Sequence, residues 1–274
     1  MINKALGMVP NASDHGGLVD AMLEGCHWFM ATLFIGWSCY FLYVLWRFNK
    51  KRNPKADYHG VQSKASAHLE FSVVVIEAIL LLGFALPLWA NKRVNVNGLS
   101  DNPDAIKVHA VGEQFFWSFH YAGPDGKFGR QDPSLVSATN PLGIDWSDPD
   151  AQDDIVSKNE LHIVNHRPVS VEVTSKDVIH NLSMKHMRME QDAIPGARVP
   201  LSFRPIRTGV FEMVCGQLCG NGHFGMVSHM TVESQADYDA WLKEQTDLQH
   251  PKPAAAAAPA ANPAPAPAAA PAAK

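Results

Sequence analysis

The sequence predicts a two-helix transmembrane hairpin followed by an all-β Greek-key sandwich, and three observations lead there. Two long apolar runs, at about 21–47 and 69–90, flank a basic segment. From residue 92 to 249, short alternating segments rich in β-branched residues recur between turns. Charged residues make up only 18% of the 274, and a net charge of -4 leaves no electrostatic footprint for nucleic acid, so that class of partner is excluded.

Residues 1–20 are polar and contain glycine, and read as a short exposed arm outside the membrane. From about Ala21 to Trp46 the chain is almost uninterruptedly apolar and aromatic. A helix needs roughly 20 such residues to cross a bilayer. Trp28, Phe29, Tyr43 and Trp46 place aromatic rings at both interfaces. Cys26 follows Leu-Glu-Gly as in a lipoprotein cleavage site, but no apolar signal core precedes it. Arg47, Lys50, Lys51, Arg52, Lys55 and Lys64 make the connecting segment basic, against Lys92 and Arg93 beyond the second run. By the positive-inside rule the connection is cytoplasmic. Both termini and the sandwich then lie on the periplasmic, outer side of the inner (plasma) membrane, with the lipid bilayer as a partner of the hairpin. The second span carries Glu70 near its cytoplasmic start and Glu77 about 10 Å deeper at 1.5 Å per residue. Ionisable groups inside a span are costly and mark functional candidates.

In the outer region, 105–111 and 114–121 form a first strand pair, followed by strands at 161–164, 169–173, 199–203, 209–214 and 226–232. A Gly-, Pro- and Asp-rich insertion at 123–154 separates the second strand from the third. Ser234-Gln-Ala-Asp237 reads as a capping box for a short helix through Trp241. The tail at 250–274 is almost entirely Pro and Ala, a disordered or polyproline-like composition.

The densest chemistry lies in Cys215-Gly-Gln-Leu-Cys219-Gly-Asn-Gly-His223-Phe-Gly-Met226, spaced C-x3-C-x3-H-x2-M. Thiolate and thioether sulfur beside imidazole select copper over hard cations. Two thiolates can bridge two metal ions, each of which then needs its own imidazole, and His180 at the end of an alternating run is the candidate for the second. A Cys215–Cys219 disulfide is the competing reading, which an oxidising compartment would permit.

This loop, with Asp177-Val-Ile-His180 and Asp192-Ala-Ile-Pro-Gly196, resembles the copper-binding subunit II of cytochrome c oxidase, in the haem–copper oxidase family. The resemblance covers about residues 21–245 and implies a cupredoxin-like sandwich. It implies a binuclear CuA centre with Cys215 and Cys219 as bridging thiolates, His180 and His223 as terminal imidazoles, Met226 as a weak axial thioether and the backbone carbonyl of Gln217 as the other axial ligand. It also implies the activity. Cytochrome c would deliver electrons on the periplasmic side, and the chain would pass them to haem in subunit I, for oxygen reduction to water coupled to proton translocation. Subunit I and other oxidase subunits are the implied partners. Proton entry is assigned to Glu70, and electron entry to the run Phe115, Phe116 and Trp117.

Departures from the family pattern bear on single features. Gln217 replaces the usual Glu, which puts an interfacial Mg²⁺ in doubt. Phe115 stands where the family has an electron-entry tryptophan, and Glu77 replaces a proline. No C-x-x-C-H occurs, so no haem is attached to the tail. A copper-free quinol oxidase subunit II has no need of the retained ligand set, and a membrane-tethered copper chaperone would keep fewer, more exposed ligands. His109, His120, His162, His166, His186 and His229 lack ligand spacing and read as surface or satisfied core residues. Met184, Met187 and Met189 read as packing at a domain or subunit surface. Asp132, Asp145, Asp148, Asp150, Asp153 and Asp154 in the insertion could steer a basic donor.

Overall fold

The computed structural model describes residues 2–55, 57–60, 62–87, 89–90 and 102–250. The expectation for the Pro/Ala tail beyond His250 lies outside the described residues. Four α-helices are described: α1 (Ile2–Ala5), α2 (Gly16–Arg47), α3 (Ala65–Ile79) and α4 (Gln235–Gln249), with α3 continuing as a π-helical stretch over Leu80–Ala85. Among the described residues, Gly16–Arg47 and Ala65–Ala85 are the two helices long and apolar enough to cross a membrane. Their large apolar side chains, among them Phe34, Trp37, Phe41, Phe71 and Leu82, have no protein cover. A helix that is apolar all round and uncovered finds its solvent in lipid.

The arm before α2 is not exposed along its length as expected. Ala12 and Ser13 are fully buried against the sandwich and His15 nearly so, and α2 begins at Gly16 rather than near residue 21. The Ala12 N–H donates to the carbonyl of His186 and the Ser13 hydroxyl to that of Met187, both at 2.8 Å. These long-range bonds satisfy backbone groups that a polar sequence alone places in water.

Ten strands follow: β1 (Ile106–Glu113), β2 (Phe116–Tyr121), β3 (Ile155–Lys158), β4 (Glu160–Val164), β5 (Val169–Ser175), β6 (His180–Met184), β7 (Met189–Ala193), β8 (Val199–Phe203), β9 (Gly209–Cys215) and β10 (Val227–Glu233). They form two five-stranded sheets, ordered β3-β2-β1-β5-β8 and β4-β10-β9-β6-β7. The pairs β1–β5 and β4–β10 are parallel and the remaining ladders antiparallel. Alternation sets the faces. In β5, Val169, Val171 and Val173 are fully buried while Ser170, Glu172 and Thr174 are partly exposed. The opposing sheet meets them with Leu161, Ile163, Leu182 and Met213, all fully buried. Each such side chain contributes about 1.5–3 kcal/mol.

Three strands are absent from the sequence reading: β3, β6 and β7. Met184 and Met187, read as surface packing, are core residues at 1% and 0% exposure, and Met189 packs against that core. The insertion builds a second small core in which Leu142, Ile144 and Ala151 cover Val111 and Val156. Val111 faces away from the main core that Val108 and Ala110 enter, as the two-residue period of a strand requires. Ser234 caps α4, its hydroxyl oxygen accepting the Asp237 N–H at 3.2 Å. The helix runs to Gln249, well past Trp241, because Trp241 stacks on His162 with ring centroids 4.2 Å apart and Gln249 bonds the backbone of Val156.

Candidate metal centre

β6 and β9 are adjacent, with Leu182 opposite Cys215, so His180 at the start of β6 and Cys215 at the end of β9 share one edge of the second sheet. The loop leaves Cys215 and returns at Met226, closed by the Cys215 N–H donating to the Met226 carbonyl at 3.1 Å. The Gly216 N–H donates to the Asn181 carbonyl at 3.0 Å, which ties the loop to the His180 strand.

Within this frame the six expected donors converge. Cys215 Sγ lies 3.9 Å from His180 Nδ1, 3.2 Å from the Gln217 carbonyl oxygen and 3.8 Å from Cys219 Sγ. Cys219 Sγ lies 3.6 Å from His223 Nδ1 and 3.8 Å from Met226 Sδ. Both cysteines are free thiols, and a 3.8 Å separation is far beyond the roughly 2.05 Å of a disulfide. The ligand atoms of His180, Cys215 and Cys219 fall within 4.8 Å of one another. His223 joins from the other side, through Cys219. Two sulfurs at the centre with an imidazole at each end match the donor chemistry of copper better than that of a hard cation. Burial, with the neighbouring Cys215 thiol, pushes the Cys219 thiol up to about 11, so metal must displace its proton to bind.

The surroundings orient the ligands. His180 is fully buried and its Nε2–H donates to Asp177 Oδ1 at 2.8 Å. That bond assigns the tautomer and leaves the Nδ1 lone pair aimed at the sulfurs. Burial tends to raise the Asp177 carboxyl, but hydrogen bonds from His180 and from the backbone N–H of Gln114 and Val178 outweigh it and hold it below the usual carboxylate value. Gln114 also donates from its side-chain amide to the Cys219 carbonyl at 2.6 Å, so one residue of the β1–β2 turn touches both ligand segments. Two glycines permit close approach. A Cβ on Gly112 would stand 3.0 Å from the His180 ring, and one on Gly222 only 2.4 Å from the Phe115 ring.

The expected electron-entry run divides by burial. Phe115 is 36% exposed, Phe116 is partly covered by the Lys158 ammonium 3.6 Å from its ring centroid, and Trp117 is fully buried with its ring centroid 6.0 Å from that of His180. Trp117 therefore packs toward His180 and is shut off from solvent. Leu218 and Phe224, 78% and 89% exposed, form an apolar rim on the loop. Glu70 lies on α3, exposed and remote in sequence from these residues. Asp154 is not a surface acid. It is fully buried, accepting from His120 Nε2 at 2.7 Å and from the Gly129 N–H at 2.8 Å. None of His109, His120, His162, His166, His186 and His229 joins the donor cluster. Asp177 and Gln114 carried no assigned role in the sequence reading. Asp177, three residues before His180, could have been found by asking what orients that ring, whereas no local pattern marks Gln114.

The family model of the cytochrome c oxidase subunit II periplasmic domain matches residues 106–234. The alternative cytochrome c oxidase subunit 2 of Bradyrhizobium diazoefficiens is 34% identical over 231 residues, spanning 84% of this chain and 80% of that protein. Cytochrome c oxidase subunit 2 of Cereibacter sphaeroides is 27% identical over 229 residues, spanning 78% and 70% respectively. The crystal structure of the periplasmic domain of subunit II of cytochrome oxidase from Bradyrhizobium japonicum aligns with 54% of this chain and 97% of its own, at 25% identity and a TM-score of 0.40. With such identity sustained over most of a relative's length, two apolar helices ahead of a cupredoxin-like sandwich, and a His/Cys/Cys cluster in that sandwich, the chain belongs to the cytochrome c oxidase subunit II family, whose members are subunits of haem–copper oxidoreductases.

Proposed function

We propose that this chain holds a binuclear CuA centre that takes electrons from a cytochrome c outside the membrane and delivers them to haem in subunit I. One observation carries the reading: six soft or neutral donors from β6, β9 and one loop converge, two of them thiols 3.8 Å apart. Cys215 and Cys219 would bridge, His180 and His223 would terminate the pair, and Met226 and the Gln217 carbonyl would complete it. When bound, such a pair exchanges single electrons and leaves no evident position for a substrate.

The protein's own residues supply the rest. Asp177 holds His180 in one tautomer, and Gln114 fixes Cys219 relative to it, so the ligands need little rearrangement between redox states. Phe115 presents a ring to solvent on one side and to Gly222 on the other, an apolar path from a docked donor to the loop. Leu218 and Phe224 offer a surface that a partner can desolvate. The hairpin anchors the domain in the inner membrane, its basic connection in the cytoplasm and the centre on the periplasmic side. Glu70, near the cytoplasmic end of the second span, is the candidate for proton entry into the oxygen-reducing, proton-translocating complex. Gln217 brings no carboxylate, and Mg²⁺ prefers hard anionic oxygen, so this position lacks the group that would favour an interfacial magnesium ion.

The test is copper loading of the full chain in detergent. The expected result is two coppers per chain, a purple colour and a mixed-valence electron paramagnetic resonance signal. Cys215→Ser and Cys219→Ser should each abolish that signal, since a hydroxyl is a poor, hard substitute for a bridging thiolate. One copper per chain at full loading overturns the reading.

A further inference from the structure

Arg188 is one of three non-glycine residues among those described with a positive φ, at 55°. A left-handed conformation costs an ordinary side chain roughly 1–2 kcal/mol, which is why turns of this kind favour glycine. The guanidinium is 8% exposed, and each of its nitrogens is used. Nε donates to Asp20 Oδ1 at 2.6 Å and Nη2 to Asp20 Oδ2 at 3.1 Å, while Nη2 also donates to the Val9 carbonyl and Nη1 to the Lys185 carbonyl, both at 2.6 Å. Asp20 lies near the start of α2, the first apolar helix, and Val9 lies in the arm that precedes it. Arg188 itself sits at the turn of the β6–β7 hairpin, whose opposite end carries His180 paired with Ala193. At about 3.3 Å per residue, the five-residue strand β6 is a short stiff lever between the two ends.

We propose that Arg188 is a positioning residue that clamps the ligand-bearing β6–β7 hairpin onto the start of the first span, so that the metal centre is held at one height and orientation above the membrane. The proposal rests on the copper reading for its functional consequence, but not for the clamp. A flexible tether would let the domain tilt, whereas a bidentate Arg–Asp pair with a nearly buried guanidinium and two further carbonyl acceptors fixes angle as well as distance. Neighbouring bonds assist it: His186 Nδ1 lies 3.0 Å from the Pro10 carbonyl, and the Asp14 and Ile206 N–H groups bond across the same seam. Only a residue with a long, forked, permanently charged side chain reaches all of these acceptors, which accounts for the tolerated left-handed backbone.

The experiment uses the assembled oxidase, with amide hydrogen exchange read at Ala12, Asp14 and Ile206, whose N–H groups donate across the seam. Arg188→Gly relieves the backbone and removes the clamp, and should speed exchange at these amides about tenfold or more. Asp20→Asn leaves the Arg188 backbone untouched and tests the same bonds if the glycine variant does not accumulate, with exchange raised by a smaller factor. In both variants the mixed-valence copper signal and the rate of copper reduction by the donor should be unchanged, while onward transfer to haem slows. Unaltered exchange in both variants overturns the clamp. Faster exchange with unaltered onward transfer overturns its positioning role. Failure of the copper reading would show separately, as an absent mixed-valence signal in the unsubstituted protein.

Discussion

His180 and His120 make an instructive pair. Both are fully buried on strands of the sandwich, and both donate from Nε2 to an aspartate, Asp177 at 2.8 Å and Asp154 at 2.7 Å. The difference lies at the other nitrogen. His180 Nδ1 faces Cys215 Sγ, whereas His120 Nδ1 has no hydrogen-bond partner and sits among His109 and Phe128, with ring centroids 5.6 and 5.0 Å away. Around His180 the remaining groups are soft donors. Around His120 they are rings and the turn of an insertion. A buried, aspartate-oriented imidazole is thus a building block, and whether it becomes a metal ligand or a structural rivet depends on what converges on its free nitrogen.

Matched substitutions break the pair most strongly. His120→Ala leaves the buried Asp154 with the Gly129 N–H as the remaining donor to its side chain and opens a cavity, and should destabilise the outer domain by about 3–5 kcal/mol. Thermal unfolding of the full chain in detergent would register this as a drop of roughly 2–4 °C per kcal/mol, with copper stoichiometry unchanged while folded. His180→Ala should do the reverse, losing the binuclear signal altogether. If His120→Ala removed copper as well, the two histidines would belong to one site and the contrast would fail.

Asp177→Asn sharpens the contrast at the orienting group. The ring of His180 remains, but its tautomer is no longer imposed, and copper affinity should fall about 10–100-fold in a competition titration with a chelator. Undiminished affinity would mean that packing against Gly112 and Trp117 suffices to aim the ring.

Acid should act on the His120 region first. His109 is lowered from 6.5 to about 3 by burial, with the His120 and Arg198 charges adding to the effect, although Glu172 Oε2 at 3.2 Å opposes it. In the unfolded chain the imidazole protonates below its ordinary value, while in the fold it stays neutral. The unfolded state therefore binds the extra proton, and stability falls as pH drops from 6.5 toward 3. The loss between pH 6.5 and about pH 5 should be about 1.5 kcal/mol, and His109→Phe should flatten that slope in denaturation curves.

The smallest effects concern donor encounter. Phe115→Ala should slow copper reduction by a basic cytochrome c at every ionic strength, because it removes contact. Neutralising Asp148, Asp150 and Asp153 should lower the rate only at low salt, by less than about tenfold. Asp154 is left out because it is buried. The effect is small because Asp150 already pairs with Lys127 and exposed charges are screened by salt.

How much was legible follows from the range of the interactions. The two long apolar helices declare themselves because each is a nearly unbroken apolar run, and the loop donors because Cys215, Cys219, His223 and Met226 lie within twelve residues. β5 was readable from Val169, Val171 and Val173 alternating with polar neighbours. β6 and β7 were not. His180–Met184 is buried on both faces and Met189–Ala193 alternates weakly, so neither carries a clear period of two. α4 was read too short because its second half is held by Val156 rather than by its own amphipathic pattern.

By itself, then, the sequence determined the architecture class and which side chains form the candidate donor set, since both are written in residue type and short spacing. Tertiary structure alone decided what orients those donors and where the arm goes. Gln114 reaches Asp177 across 63 residues and Cys219 across 105, and Arg188 reaches Asp20 across 168. Contacts of that separation depend on how two sheets stack and which edge each strand end occupies. No local window of polarity or propensity contains that information, because the free energy that selects them is released only when the whole core closes.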